Sequence, residues 1–255
     1  MFKPNFDLSG KVALVTGSGR GLGFGMAAGL AAAGARLVLN DISEENLAAA
    51  LKRLSDDGLK AETAIFDVTD PASVAAGVAD IEKRVGPVHI LVNNAGIQRR
   101  HPLAEFPDEE WRQVLDLNLT APFRMAKAVA KGMIERKSGK IINICSINAI
   151  IMRPTIPAYT SAKGGLMLLT RAMAVEWAQY DIQANAIAPG YYDTEMTKPL
   201  VEDAKFSDWV VNRVPARRWG RPEDLAGTAV FLASEASNFI NGQMIVVDGG
   251  LTCSM

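Results

Sequence analysis

Tyr159 and Lys163 stand four residues apart in the run Pro157-Ala158-Tyr159-Thr160-Ser161-Ala162-Lys163. On a helix, positions i and i+4 share one face. An ammonium close to a phenol favours the phenolate, which would draw the tyrosine from its usual value of about 10 toward neutrality. A tyrosine so placed can give a proton to a carbonyl oxygen, or take one from an alcohol, near pH 7. The pair alone is a weak signal. Ser146 sharpens it, because it stands thirteen residues before Tyr159 at the end of the apolar run 141–145. A residue at the carboxyl end of a parallel strand faces the ligand crevice, so the Ser146 hydroxyl is expected to hold the substrate oxygen.

A second chemistry is written near the start of the chain. The apolar run 12–16 leads into Thr16-Gly17-Ser18-Gly19-Arg20-Gly21-Leu22-Gly23, and a small-residue helical pattern follows. Strand, glycine loop and helix in that order let backbone approach a pyrophosphate, with the free N–H groups of the helix start behind it. Asp41 closes the next apolar run, 18 residues after Gly23, near the spacing at which an acidic residue meets the ribose hydroxyls. Asp41 also competes with Ser43 for the cap of the following helix. Asp67, at the end of the third run, faces the adenine edge or begins a turn.

The elements that must position these residues follow from the pattern. Strands are expected at 12–16, 36–40, 62–66, 89–92, 141–145, 182–188 and 244–247, with helices between them, and Asp70-Pro71 is read as a helix start. The strands are read as continuously apolar rather than alternating, as in parallel strands covered on both faces. Strand–helix alternation implies right-handed βαβ units. With no linker, repeat or low-complexity tract, one α/β domain with a doubly wound parallel sheet accounts for all 255 residues.

Composition narrows the function classes. Lys+Arg is 27 against 28 Asp+Glu, so there is no basic footprint for nucleic acid or an anionic membrane. The apolar, glycine-rich stretch 21–35 is shorter than the ~20 residues that span a bilayer. Cys145 and Cys253 cannot form a disulfide framework, which suits a reducing, cytoplasmic setting. His89 and His101 are too few for a histidine-rich metal site; both are read as non-functional, His89 as structural and His101 as solvent-exposed.

Taken together, Thr16–Gly23, Asn93-Asn94-Ala95-Gly96, Ser146, Tyr159-x-x-x-Lys163 and Pro189-Gly190 resemble the short-chain dehydrogenase/reductase family over essentially the whole chain. The resemblance implies a Rossmann-like sheet of seven strands in the order 3-2-1-4-5-6-7, with helices on both faces. It also implies a catalytic tetrad of Asn118, Ser146, Tyr159 and Lys163. Tyr159 would be the general acid/base, Lys163 would lower its pKa and bind the nicotinamide ribose, and Asn118 would position a water in a proton relay. The cofactor would lie along Gly17, Ser18, Arg20, Gly21, Leu22 and Gly23, then Asp41, Ile42, Asp67 and Val68. From there it would pass Asn94, Ala95 and Gly96 to Tyr159, Lys163, Pro189, Gly190 and Thr194. Asp41 favours NAD(H), since a carboxylate repels a 2′-phosphate; Arg20 and the family resemblance make NADP(H) the alternative. Family members are usually tetramers, here through helices spanning about 108–136 and 157–180.

A narrower set of stretches resembles the branch of that family acting on gluconate and its 5-keto form: Leu39–Ile42, Asn93–Arg100, Arg153–Thr155, Glu176–Gln179, Arg218–Pro222 and Asn241–Gln243. Physical chemistry agrees. Arg100 and Arg153 lie in two loops expected to border the crevice, and arginine binds carboxylates bidentately. A sugar acid held by Arg100, Ser146, Asn148, Arg153, Tyr159 and Tyr191 is the expected substrate, under a lid at about 191–212. Arg99 is as readily a surface charge. The alternatives are a 3-oxoacyl-carrier-protein reductase, which would want a basic docking patch such as 213–221, another polyol dehydrogenase, or a non-catalytic cofactor sensor.

Overall fold

The computed structural model describes residues 5–254. Seven strands carry the fold: β1 Val12–Thr16, β2 Arg36–Asp41, β3 Ala61–Ile65, β4 Val88–Asn93, β5 Gly139–Ile144, β6 Ile182–Pro189 and β7 Met244–Val247. They form one parallel sheet in the order β3-β2-β1-β4-β5-β6-β7. This is the order the resemblance implies.

Alternate residues of each central strand enter two separate cores. Ala13 and Val15 face one side, where α1 Gly21–Ala32, α2 Glu44–Asp56 and α9 Ala226–Ala233 pack. Val12 and Leu14 face the other, against α3 Pro71–Arg84, α5 Ala121–Arg136 and α6 Pro157–Trp177. Both faces of β1 are therefore dry, which explains its unbroken apolar run. The edge strand β3 departs from that rule: Ala61-Glu62-Thr63-Ala64-Ile65 leaves Glu62 and Ile65 exposed. No helix among the described residues is long and apolar enough to cross a membrane.

The starts of α2 and α3 are fixed by side chains. Ser43 accepts from the Asn46 N–H and caps α2. Asp70 accepts from Ala72 and Ser73 with Pro71 at the first helical position, as expected. The helix expected over 108–136 is not uniform. It runs as α4 Asp108–Leu115, one π turn Asp116–Thr120, and then α5. β5 ends at Ile144, so Cys145 and Ser146 lie just beyond the strand rather than within it. Two short helices, α7 Lys198–Val201 and α8 Ala204–Arg213, occupy the segment expected to be a lid.

Candidate active site

The carboxyl ends of β1, β4, β5 and β6 open on one cavity of about 670 Å³. At its β2 end stand Arg20, Asp41, Ile42, Asp67 and Val68. Gly17, Gly21, Leu22, Asn94, Ala95 and Gly96 line its middle. Asn118, Ser146, Tyr159, Lys163, Pro189, Gly190 and Thr194 line the far end.

The glycine loop is built for close approach. Gly17 has φ +59, and a Cβ there would stand 2.8 Å from the Ala95 Cα, so no other residue fits. Asn94 donates its Nδ2 to the Thr16 and Gly17 carbonyls (3.0 and 2.9 Å), tying the loop to β4. The Arg20 side chain does not cap α1, so the start of the helix presents N–H groups toward the cavity. Those groups and the α1 dipole fit a dinucleotide pyrophosphate. Ser18 is placed differently from the expectation. It is fully buried, its hydroxyl donates to the Val15 carbonyl at 2.8 Å, and its N–H donates to the Asn40 carbonyl at 3.0 Å. Both donors are committed inside the protein, so Ser18 shapes the loop from beneath. Gly23 likewise packs against the Gly17 carbonyl, outside the cavity lining.

Asp41 does not cap α2; its Oδ1 accepts from the Ser43 N–H at 3.0 Å. Asp67 accepts from both the N–H and the hydroxyl of Thr69, each at 2.7 Å, while its residue lines the cavity. It therefore begins the turn and borders the site at once.

At the far end, α6 carries Tyr159 and Lys163 on one face. Lys163 is 3% exposed, and its Nζ donates to the Ile144 carbonyl at 2.7 Å and lies 5.5 Å from the Tyr159 ring centroid. Ser146 accepts from the Asn148 N–H through Oγ at 3.1 Å. The titration behaviour reverses the expectation. Burial pushes the Tyr159 phenol up to about 12, opposed by its hydrogen bond with Ser146. Burial also pushes the Lys163 ammonium down to about 8. Desolvation disfavours both charged forms, and the ammonium is turned to a carbonyl rather than to the phenol.

Asn118 sits in the π turn and is fully buried. Its Nδ2 donates to the Ile97 and Val114 carbonyls at 2.8 and 2.9 Å. Its Oδ1 has no hydrogen-bond partner among the described residues, beside Gly96 on the cavity wall. An acceptor left open at such a place fits a bound water.

Arg100, Asn148, Arg153 and Tyr191 do not line this cavity. Arg153 donates to the Tyr191 hydroxyl at 3.5 Å, and its guanidinium lies 4.6 Å over the Phe206 ring and 6.0 Å from Tyr191. Tyr191 packs edge-on against Phe206, Trp209 and Trp219. Arg100 donates to the Gln98 side chain at 2.8 Å. Desolvation and the neighbouring Arg153 hold its pKa below the ordinary arginine value. Among the described residues neither guanidinium pairs with a carboxylate. Arg99 does, 3.7 Å from Glu110.

His89 accepts the Val12 N–H through Nδ1 at 3.0 Å and so bridges two strands, as a structural residue. His101 is not solvent-exposed filler: Nε2 lies 2.9 Å from the Glu110 carboxylate, and the ring packs edge-on against Phe106.

The cavity also takes in residues that the sequence did not single out. Ser43 and Asn46 join its β2 end; Cys145, Glu195, Met196 and Thr197 join the other. Ser43 and Asn46 are legible only as the first turn of a helix after Asp41. Glu195 and Met196 neighbour Thr194. Tyr192, read with Tyr191 as part of the lid, is instead buried, its hydroxyl donating to the Val247 carbonyl at 3.0 Å.

Comparison with known proteins places this geometry. Residues 17–252 match the family described as Enoyl-(Acyl carrier protein) reductase. The chain is 51% identical over 246 residues to the 5-keto-D-gluconate 5-reductase of Escherichia coli strain K12, covering 96% of this chain and 97% of that one. It is 51% identical over 250 residues to the gluconate 5-dehydrogenase of Gluconobacter oxydans strain 621H, covering 98% of each. The crystal structure of a gluconate 5-dehydrogenase from Burkholderia cenocepacia J2315, in complex with NADP and tartrate, superposes with a TM-score of 0.94 at 51% identity over 99% of each chain.

Proposed function

The chain belongs to the short-chain dehydrogenase/reductase family, an oxidoreductase using a nicotinamide cofactor, and on that premise we propose that it interconverts gluconate and 5-keto-gluconate with NADP(H). The observation that carries this reading is the convergence of Asn118, Ser146, Tyr159 and Lys163 on one wall of the cavity whose other end is the glycine loop. Arg100 and Arg153, close enough to disfavour each other's charge and without a carboxylate partner among the described residues, support a sugar acid as the substrate.

A nicotinamide held along Asn94, Ala95, Gly96, Pro189, Gly190 and Thr194 would supply or accept the hydride at the carbinol carbon. In the reducing direction Ser146 donates its hydroxyl hydrogen bond to the ketone oxygen. As negative charge gathers there, Tyr159 transfers its phenolic proton to that oxygen. A phenol held near 12 is protonated at any working pH, so the acid is always in place. The ammonium of Lys163, held on the Ile144 carbonyl 5.5 Å from the Tyr159 ring centroid, stabilises the phenolate by its charge rather than by direct contact. Lys163 then passes a proton to the phenolate, and a water held at the open Asn118 Oδ1 relays one from solvent back to the Lys163 amine.

NADP(H) is favoured over NAD(H). One Asp41 oxygen is already engaged by the Ser43 amide, which lowers its hold on a ribose hydroxyl. Arg20, Ser43 and Asn46 line the same end of the cavity and offer a 2′-phosphate a guanidinium and two neutral donors. NADP is also the cofactor in the Burkholderia relative. Residues 191–212, with their two short helices, act as the substrate lid. The exposed apolar side chains Phe123 on α5 and Leu168 and Val175 on α6 are the surfaces through which copies of the chain assemble, as a tetramer. A carrier-protein reductase finds less support, because Arg218 is neutralised by Asp224 at 2.6 Å and Arg213 donates to the Ser254 carbonyl.

The deciding assay is steady-state turnover of 5-keto-D-gluconate with NADPH and with NADH, beside a neutral keto-sugar of similar length. Higher kcat/KM with NADPH and with the acid is expected. No turnover of the acid would overturn the substrate, and a higher value with NADH would overturn the cofactor.

A further inference from the structure

Beneath the reacting groups runs a line of buried polar side chains that does not line the cavity. Asn93, Asn143 and Thr170 are 3%, 0% and 1% exposed. Asn93 donates its Nδ2 to the Asn143 Oδ1 at 2.8 Å and more weakly to the Pro122 carbonyl at 3.4 Å. Asn143 donates its Nδ2 to the Thr170 Oγ1 at 2.9 Å, and Thr170 donates its own proton to the Leu166 carbonyl at 2.7 Å.

Each member sits on an element that carries part of the site. Pro122 opens α5, directly after the π turn that holds Asn118. Asn93 ends β4, immediately before Asn94-Ala95-Gly96. Asn143 stands three residues before Ser146 on β5. Thr170 stands seven residues after Lys163 on α6, two helical turns along the same face. We infer that Asn93, Asn143 and Thr170 are positioning residues that hold the elements bearing Asn118, Ser146, Tyr159 and Lys163 in one register.

Two features favour positioning over bulk stability. Buried amides cost desolvation unless every donor and acceptor is matched, and the Asn93 Oδ1 has no partner among the described residues. Apolar side chains of the same size would pack there without that cost. What they lack is direction, since a hydrogen bond fixes distance and angle whereas burial of apolar surface is non-directional. α6 has need of such a fix near its start. The buried positions of its first two turns are Ala158, Ala162 and Lys163, and the two alanines leave few knobs to stop the helix turning about its axis.

This inference rests on the assignment of the reacting groups above. Thr170→Val removes the acceptor at nearly constant shape. It is expected to lower kcat about 10-fold, the scale of a displacement well under 1 Å, with the cofactor Kd unchanged by fluorescence titration. The isotope effect with 4-deuterated cofactor should rise as hydride transfer becomes more limiting. Thr170→Ser, which keeps the hydroxyl, should return kcat to within about twofold. A wild-type kcat in Thr170→Val, or equal impairment in Thr170→Ser, overturns the inference. Thr170→Ala is read in the same way if the valine variant does not fold. Failure of both to fold assigns Thr170 to structure alone and also overturns it. Tyr159→Phe, assayed alongside, separates the two readings. If it stays active, the proton-donor assignment falls and the clamp with it; if it is inactive beside an unimpaired Thr170→Val, only the clamp falls.

Discussion

Arg100 and Arg153 lie close enough for one charge to disfavour the other, and desolvation adds to the strain on Arg100. A carboxylate placed between them would relieve both at once. Replacing either with alanine should therefore lower kcat/KM for 5-keto-gluconate by roughly 1.5–3 kcal/mol, the scale of a charge-assisted hydrogen bond, or about 10- to 150-fold. Activity on a neutral keto-sugar should hardly change, and equal losses on both substrates would refute the anchor. Lys163 sets a second expectation. With the phenol up at about 12 and the ammonium down at about 8, raising the pH discharges Lys163 first. The reduction kcat should fall as pH rises through about 8 and show no limb from Tyr159 below about 11; a pH–rate profile checks it. Spacing makes Tyr159 and Lys163 legible in the sequence because i,i+4 is a local relation. The direction of the Tyr159 shift is not legible, since it comes from burial of the phenol in the folded protein, which outweighs the hydrogen bond with Ser146 from another element. For the same reason Ser18 reads as a phosphate contact until the fold turns its hydroxyl to Val15.

Helix α8, in the segment proposed as the lid, contacts Arg153 through Phe206. Phe206 faces the guanidinium at 4.6 Å and stacks on Trp209 at 5.4 Å, while Trp219 donates its indole N–H to Ser207 at 2.9 Å. A cation over an aromatic face contributes about 0.5–2 kcal/mol. Phe206→Leu should thus raise the KM for the sugar acid roughly 2- to 30-fold, and Phe206→Tyr should restore it. A KM unchanged in Phe206→Leu would detach Arg153 from the lid. At this scale the buried strands β1, β4, β5 and β6 are legible, because a strand dry on both faces is dominated by apolar residues, with only hydrogen-bonded polar ones such as Asn93 and Asn143 among them. The π turn at Asp116–Thr120 is not. One extra residue within a long helix leaves the apolar period almost undisturbed on either side, yet it sets the local backbone that presents Asn118 to the cavity.

Across the whole molecule, two buried lysines bias stability with pH. Lys140, at the foot of β5, is pushed down to about 8 by burial, as Lys163 is. Unfolded lysines hold their protons to about 10.4, so between pH 8 and that value the unfolded chain binds more protons than the folded one. The two lysines therefore raise stability with pH from about 8, until the Cys145 thiol, pushed up to about 11 by burial, and the raised Tyr159 and Tyr192 phenols act the other way above about 9. Urea unfolding of the apo protein should show a midpoint increasing from about pH 8 to about 9, and Lys140→Met should flatten that slope; a flat wild-type profile over that range would contradict it. The sheet order also has a consequence in time. β1 is flanked by β2 and β4, and 76 residues separate Val12 from Val88. At roughly 5–20 residues per second of synthesis, one side of β1 waits about 4–15 s for its partner to be made. Through that interval the growing polypeptide shows an open strand edge of Val12-Ala13-Leu14-Val15, the kind of edge on which nascent chains aggregate.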